Sequence, residues 1–234
     1  MTALTRGQAR FGTVALLVSS LLFAAFPLLR TYFPNSLETP EAVAQAVDAL
    51  TSWRWAASHL VAGAALLLLP FGLLSLANLH AGTRLARRSV VAAWLGIAGV
   101  SLLLVVIGAE TVGLSAVANA HADGQATDMT ALVKLVRTTL EFELLLLGLV
   151  LLAASGITMA VVIWKSRLLP RWSGVVLAVG LAAWIPIMPQ PVRVVDGLLI
   201  GVGGVWVAAA CWPLIAGRLP AWADPAASAP AESA

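Results

Sequence analysis

A chain of 234 residues that is 60% apolar and only 11% charged lacks the polar surface that a soluble domain of this size presents to water. A net charge of +3 gives no case for a nucleic-acid partner, because in such a composition basic residues mainly report which side of a membrane faces the cytoplasm. The one cysteine, Cys211, excludes an intrachain disulfide.

The charges fall in short clusters between apolar runs of about 20 residues, the length that spans a bilayer. The expected fold class is all-α: a polytopic transmembrane bundle of six spans with a short extracytoplasmic amphipathic helix, forming one transmembrane domain. The expected spans are about 11–29, 53–79, 89–117, 141–164, 172–188 and 194–215.

In chain order, Arg6 and Arg10 precede the first apolar run, Phe11 to Leu29. It reads as a retained anchor, since it is longer than a signal core and no small-x-small cleavage site follows Phe26 and Pro27. Thr39, Pro40 and Glu41 have the order of a helix cap, first residue and first-turn acid. Val43, Ala46, Val47 and Leu50 then recur at helical spacing, which gives a short amphipathic helix on the membrane surface or capping the bundle. The second span, Trp53 to Leu79, has interfacial Trp53 and Trp55 at its start and a kink expected at Pro70. A basic turn, Ala81 to Arg88, leads into a third run from Ser89 to about Val117, interrupted only by Glu110. The following linker, Ala118 to Asp128, is polar and turn-prone.

Met129 to Lys165 reads as a single helix that organises the rest. Its first half carries Lys134, Arg137, Glu141 and Glu143, while Leu144 to Trp164 has no charge. At about 1.5 Å per residue the uncharged half covers roughly 30 Å of hydrocarbon, so the charged half stands at one interface. A second basic turn, Lys165 to Arg171, precedes the fifth span, Trp172 to Ile187, which Pro186, Pro189 and Pro191 are expected to end. The sixth span, Val194 to about Ile215, has Asp196 in its first turn, and the Ala, Pro and Ser rich tail over 218–234 is expected to be disordered.

With six spans, Arg6, Arg10, Arg84, Arg87, Arg88, Lys165, Arg167, Arg171 and Arg218 fall on one side. Arg30, Arg54, Lys134, Arg137 and Arg193 fall on the other. The richer side is the cytoplasm, which places both termini inside a cell membrane. The two basic turns share the pattern hydroxyl, Arg, Leu, two variable, Arg, from Thr83 and from Ser166, a short match that decides no function.

The start Trp53-Arg54-Trp55 with His59, the Arg-rich turn, and Arg167-Leu168-Leu169-Pro170-Arg171-Trp172 before a Gly and Ala rich hairpin resemble uncharacterised six-helix membrane proteins of high-GC bacteria. Twelve Arg against two Lys fits a GC-rich genome. The resemblance covers about Pro40 to Gly217. It implies a topology and carries no catalytic residue.

Ionisable groups inside a membrane are costly, so they pair, line cavities or move protons. His59, Glu110, Arg137, Glu141 and Asp196 all fall toward the outer interface and form the candidate polar pocket; Arg54 and Arg193 lie in the same zone. Mutual pairing would account for many of them without any function. His59 and His80 stand about 31 Å apart along one helix and cannot ligate one haem. Gly197, Gly201, Gly204 and Ala208 form a small-residue face for close helix packing. There is no phosphate loop, no metal-spaced cluster and no nucleophile with an evident base, so no cofactor and no metal are expected.

Two function classes fit. One is a non-enzymatic structural, partner-binding or lipid or small-molecule binding protein, with the bilayer and a lipid or small apolar ligand as partners. The other is a membrane-embedded enzyme using Glu110, Glu141 or Asp196 as acid or base on a lipid-like substrate. A transporter would ask for a pair of broken helices, for which only Pro70 and Pro186 offer themselves. Oligomeric state leaves no mark in the sequence.

Overall fold

The computed structural model describes residues 6–33, 36–125, 128–184 and 189–215, and these are helical apart from turns and connections. Among the described residues, five helices are long and apolar enough to cross a membrane. The elements are α1 (Arg6–Leu29), α2 (Pro40–Thr51), α3 (Trp53–Leu79), α4 (Ala86–Gly108), a π-helical turn (Ala109–Leu114), α5 (Ser115–Ala122), α6 (Met129–Val136), α7 (Thr139–Ser166), α8 (Arg171–Ala183) and α9 (Gln190–Ile215).

Six of these close a ring in the order α1, α3, α4, α7, α8, α9, each packing on the next, with α9 returning to α1. Apolar surface drives little helix association in lipid, so small residues and interhelical hydrogen bonds must hold the ring. Ser19 Oγ of α1 donates to the Ala65 carbonyl of α3 at 2.7 Å, and Ser155 Oγ of α7 to the Ala92 carbonyl of α4, also at 2.7 Å. A Cβ on Gly197 would come within 2.8 Å of the Phe23 carbonyl oxygen, so the expected small-residue face of α9 is where α1 lies against it. Gln190 Nε2 donates to the Pro27 carbonyl at 2.6 Å, which ties the start of α9 to the end of α1.

The helix from Met129 to Lys165 is broken. Arg137 takes φ −87° and ψ 70°, outside the helical region, and Thr138 then caps α7 by accepting the Glu141 N–H at 3.1 Å. Thr138 to Glu141 has the form Thr-x-x-Glu, a helix-start signature that overrides continuous apolar periodicity. The expected linker from Ala118 begins as helix, because α4 runs through the π-helical turn into α5 without leaving a helical path. At about 1.5 Å per residue this 37-residue path is roughly 55 Å long, well over the roughly 30 Å of a bilayer's hydrocarbon core. The last helix begins at Gln190 with Pro191 in its first turn, a position where a missing N–H costs nothing. Asp196 therefore lies in the second turn, away from the orphan N–H groups expected to favour it. Pro186 and the tail over 218–234 lie outside the described residues.

Helix α2 begins as its sequence dictates, with Thr39 accepting the Ala42 N–H and Pro40 at the first helical position. It buries Ala46, Ala49 and Leu50, with Val43 and Val47 packed alongside, in a second core with Phe33, Trp55, Leu114, Ala118 and Met129. That core caps one end of the ring, directly over the residues described next.

Candidate functional site

Glu110 sits on the π-helical turn and is 14% exposed. A π turn inserts one residue into the helical register and re-aims the side chains that follow, and such turns recur at functional sites. Three cationic or imidazole groups from separate elements meet its carboxylate. Arg137, at the break between α6 and α7, donates from Nη2 to Oε1 at 2.8 Å. Arg30, just beyond α1, places Nη2 at 3.7 Å from Oε2, and His59 of α3 places Nε2 at 3.6 Å from the same oxygen.

Aromatic rings complete the cage. The Arg30 guanidinium lies 5.6 Å from the centre of the Phe26 ring and 5.3 Å from that of Trp55, and Arg137 stands 5.1 Å over Phe33. Such contacts contribute about 0.5–2 kcal/mol each, more when desolvated. They help offset the cost of burying Arg30, which is only 8% exposed. Burial lowers the Arg30 guanidinium to about 10, against the raising effect of Glu110, with Arg193 and Arg137 adding to the lowering. It therefore remains charged at neutral pH.

His59 is held by Trp55: its Nδ1 lies 2.8 Å from the Trp55 carbonyl oxygen, and the rings lie 4.1 Å apart. A carbonyl can only accept, so Nδ1 carries the proton. Nε2 is buried and makes no hydrogen bond among the described residues.

These groups form one end of a cavity of about 240 Å³, far larger than the roughly 30 Å³ one water occupies. Tyr32 and Arg193 line its polar end with Arg30, His59, Glu110 and Arg137. Phe26, Ala62, Leu103, Val106, Leu145 and Trp184 are among its apolar lining residues. Phe26 lies one turn before Arg30, and Leu103 and Val106 lie a turn or more before Glu110.

Of the five residues expected at the pocket, the structure brings His59, Glu110 and Arg137 together. Glu141 does not line the cavity, although it lies near enough to Glu110 and Arg137 to feel their charge. The break at Arg137 is the reason, since the two residues no longer share a helix face. Asp196 is also apart: it is 3% exposed, its Oδ1 has no hydrogen-bond partner among the described residues, and it does not line the cavity. Arg30 and Arg193 line it instead. The usable signal for Arg30 was a cation immediately after a complete apolar run. Three guanidinium groups repel a cation, and among the described residues no cluster of three His, Cys, Asp or Glu could hold a metal.

The fold and its contents define an all-helical protein of membrane type, with a polar cavity beneath a small helical cap. No family model, curated protein or solved structure matches the chain.

Proposed function

We propose that this is a six-span integral membrane protein with both termini in the cytoplasm, and that its outer cavity binds a small amphiphile with an anionic head group. Charge imbalance carries this reading: among the described residues, the guanidinium groups of Arg30 and Arg137 both face a single carboxylate, Glu110. Excess positive charge in a partly buried site is unfavourable unless an anion completes it. The apolar walls a turn deeper suit an alkyl tail. For the topology, α8 has 13 residues, about 20 Å of helix. A crossing by this short helix is supported by two placements: α7 ends at the basic turn, and Arg193 at the start of α9 lines the same cavity as Arg137.

Dodecanoate and dodecanol test the head group against the tail. Added dodecanoate should raise the unfolding temperature of the detergent-purified protein, dodecanol should do so far less, and Arg137→Gln should remove the difference. Equal responses to the two would overturn the reading.

The competing reading is an enzyme that works on a lipid-like substrate with Glu110 as acid or base. The unsatisfied Nε2 of His59 beside Glu110 favours it. Against it, both Glu110 oxygens already face cationic side chains. Turnover of a supplied lipid, lost in Glu110→Gln, would favour the enzyme.

A further inference from the structure

The opposite end of the ring carries a second feature, independent of the outer cavity. A groove of about 440 Å³ runs between α7 and α8, walled by Ile157, Val161, Trp164, Val175, Val179 and Ala182. Among the described residues, its one charged lining residue is Lys165, at the end of α7. The groove exists because Ala160, Ala178 and Ala182 are small where the two helices face each other. From Ile157 to Lys165 it follows about 12 Å of helix, so it is a slot parallel to the helices with a cation at its mouth.

Around that mouth the described charged residues are basic. Arg84, Arg87, Arg88, Lys165, Arg167 and Arg171 are all exposed at this end, and the described carboxylates all belong to the opposite half of the ring and its cap. The two basic turns are joined where His80 Nε2 meets Ser166 Oγ at 3.1 Å, so their charges stand side by side. Arg171 lies over Trp164 at 5.5 Å, and Trp164 packs edge-on against Trp172 at 5.4 Å. Trp164, which lines the groove, thus stands beside Lys165 with Trp172 packed against it.

We propose that this groove is a binding site for one anionic phospholipid, with an acyl chain in the slot and the phosphate against Lys165. An apolar slot alone would accept any lipid tail. The cation at its mouth, with no carboxylate beside it among the described residues, selects the anionic head group, as basic pockets between membrane helices do. The site depends on the basic end of the ring, not on which leaflet that end faces.

Native mass spectrometry of the detergent-purified chain, incubated with phosphatidylglycerol or phosphatidylcholine of the same acyl composition, tests this directly. Phosphatidylglycerol should be retained about fivefold more, the contrast expected from one basic residue beside a net anionic rather than a zwitterionic head group. Lys165→Gln should reduce that preference to near parity, and Lys165→Arg should restore it. Val179→Phe, which fills the slot from an exposed wall, should lower retention of both lipids. Equal retention by the unaltered protein, or an undiminished preference in Lys165→Gln, would overturn the proposal. So would a dimer that Val179→Phe dissociates, since a second copy would then occupy the groove.

Discussion

Arg137 reaches across 27 residues of sequence to donate to Glu110 at 2.8 Å, and each of the two stands where its helix departs from regular α geometry. Glu110 lies on the π-helical turn and Arg137 at the break that separates α6 from α7. Gly113, on the same π turn, has Val136 against it, within 3.0 Å of where a Cβ would be. The irregular backbone and the ion pair therefore occupy one place, and the cap core over them holds both in position.

Glu110→Gln should destabilise the protein, because it leaves Arg30 and Arg137 without their common anion. Removing one partner of a buried pair costs about 3–5 kcal/mol, toward the lower figure here because Arg137 is 31% exposed. Glu38→Gln, on an exposed residue, should change stability by about 0.5 kcal/mol or less. Unfolding in denaturant with the two variants in parallel measures the contrast, and equal effects would mean that the pair is not structural. Under the binding reading, an anionic amphiphile should also stabilise Glu110→Gln more than it does the original chain.

The helices were legible because period and length act locally: an apolar run of about 20 residues reads the same whatever packs against it. The site was legible only in part. Glu110 and His59 stood out as ionisable groups among apolar neighbours, whereas Arg30 came at a run's end, where cations ordinarily report topology. Glu141 was grouped with Arg137 through helical spacing, and that spacing fails wherever the backbone breaks. The break itself was written in Thr138 and Glu141, but a cap inside a longer apolar pattern is easily passed over. Nothing local marks the π turn, whose single extra residue matters only once α5, α6 and α2 are packed around it.

At the other end, His80 should make stability depend on pH. Its Nδ1 donates to the Leu76 carbonyl at 2.8 Å and Nε2 meets Ser166 Oγ. Burial lowers the imidazole from its ordinary 6.5, partly opposed by the bond to Leu76. The unfolded chain then takes up a proton at a higher pH than the folded one. His80's contribution is complete above about 6.5 and is lost as pH falls through the lower folded value. Denaturation midpoints at pH 7.5 and pH 5 should differ less in His80→Gln than in the original chain. An unchanged difference would assign the pH dependence elsewhere.

Close packing of α4 on α7 gives a contrast between two glycines. A Cβ on Gly99 would lie 2.8 Å from the Gly148 carbonyl oxygen and 2.9 Å from the Leu152 nitrogen, both backbone atoms that cannot turn aside. Gly99→Ala should cost about 1–3 kcal/mol. Gly63, in α3, has nothing within 4 Å of its Cβ position, so Gly63→Ala should be neutral or gain up to about 1 kcal/mol from helix propensity. Thermal unfolding of both variants should move in opposite directions or leave Gly63→Ala unmoved.

The proposed topology makes a prediction about parity. Successive ring helices run antiparallel: α3 ends and α4 begins at the basic turn Ala81 to Leu85, and α7 ends and α8 begins at the other, Arg167 to Pro170. If α8 crosses despite its 13 residues, the end of α9 returns to the side of both basic turns. Gly124 stands in an exposed turn with φ 71°, and Gly82 is exposed in the first basic turn, so both tolerate a fused or inserted reporter. Reporters after Gly82 and after Gly217 should register in the cytoplasm, and one after Gly124 should register on the opposite side. Gly124 and Gly217 on the same side would show that α8 dips into the bilayer and comes back, which would also separate Arg193 from Arg137 and remove the third guanidinium from the cavity.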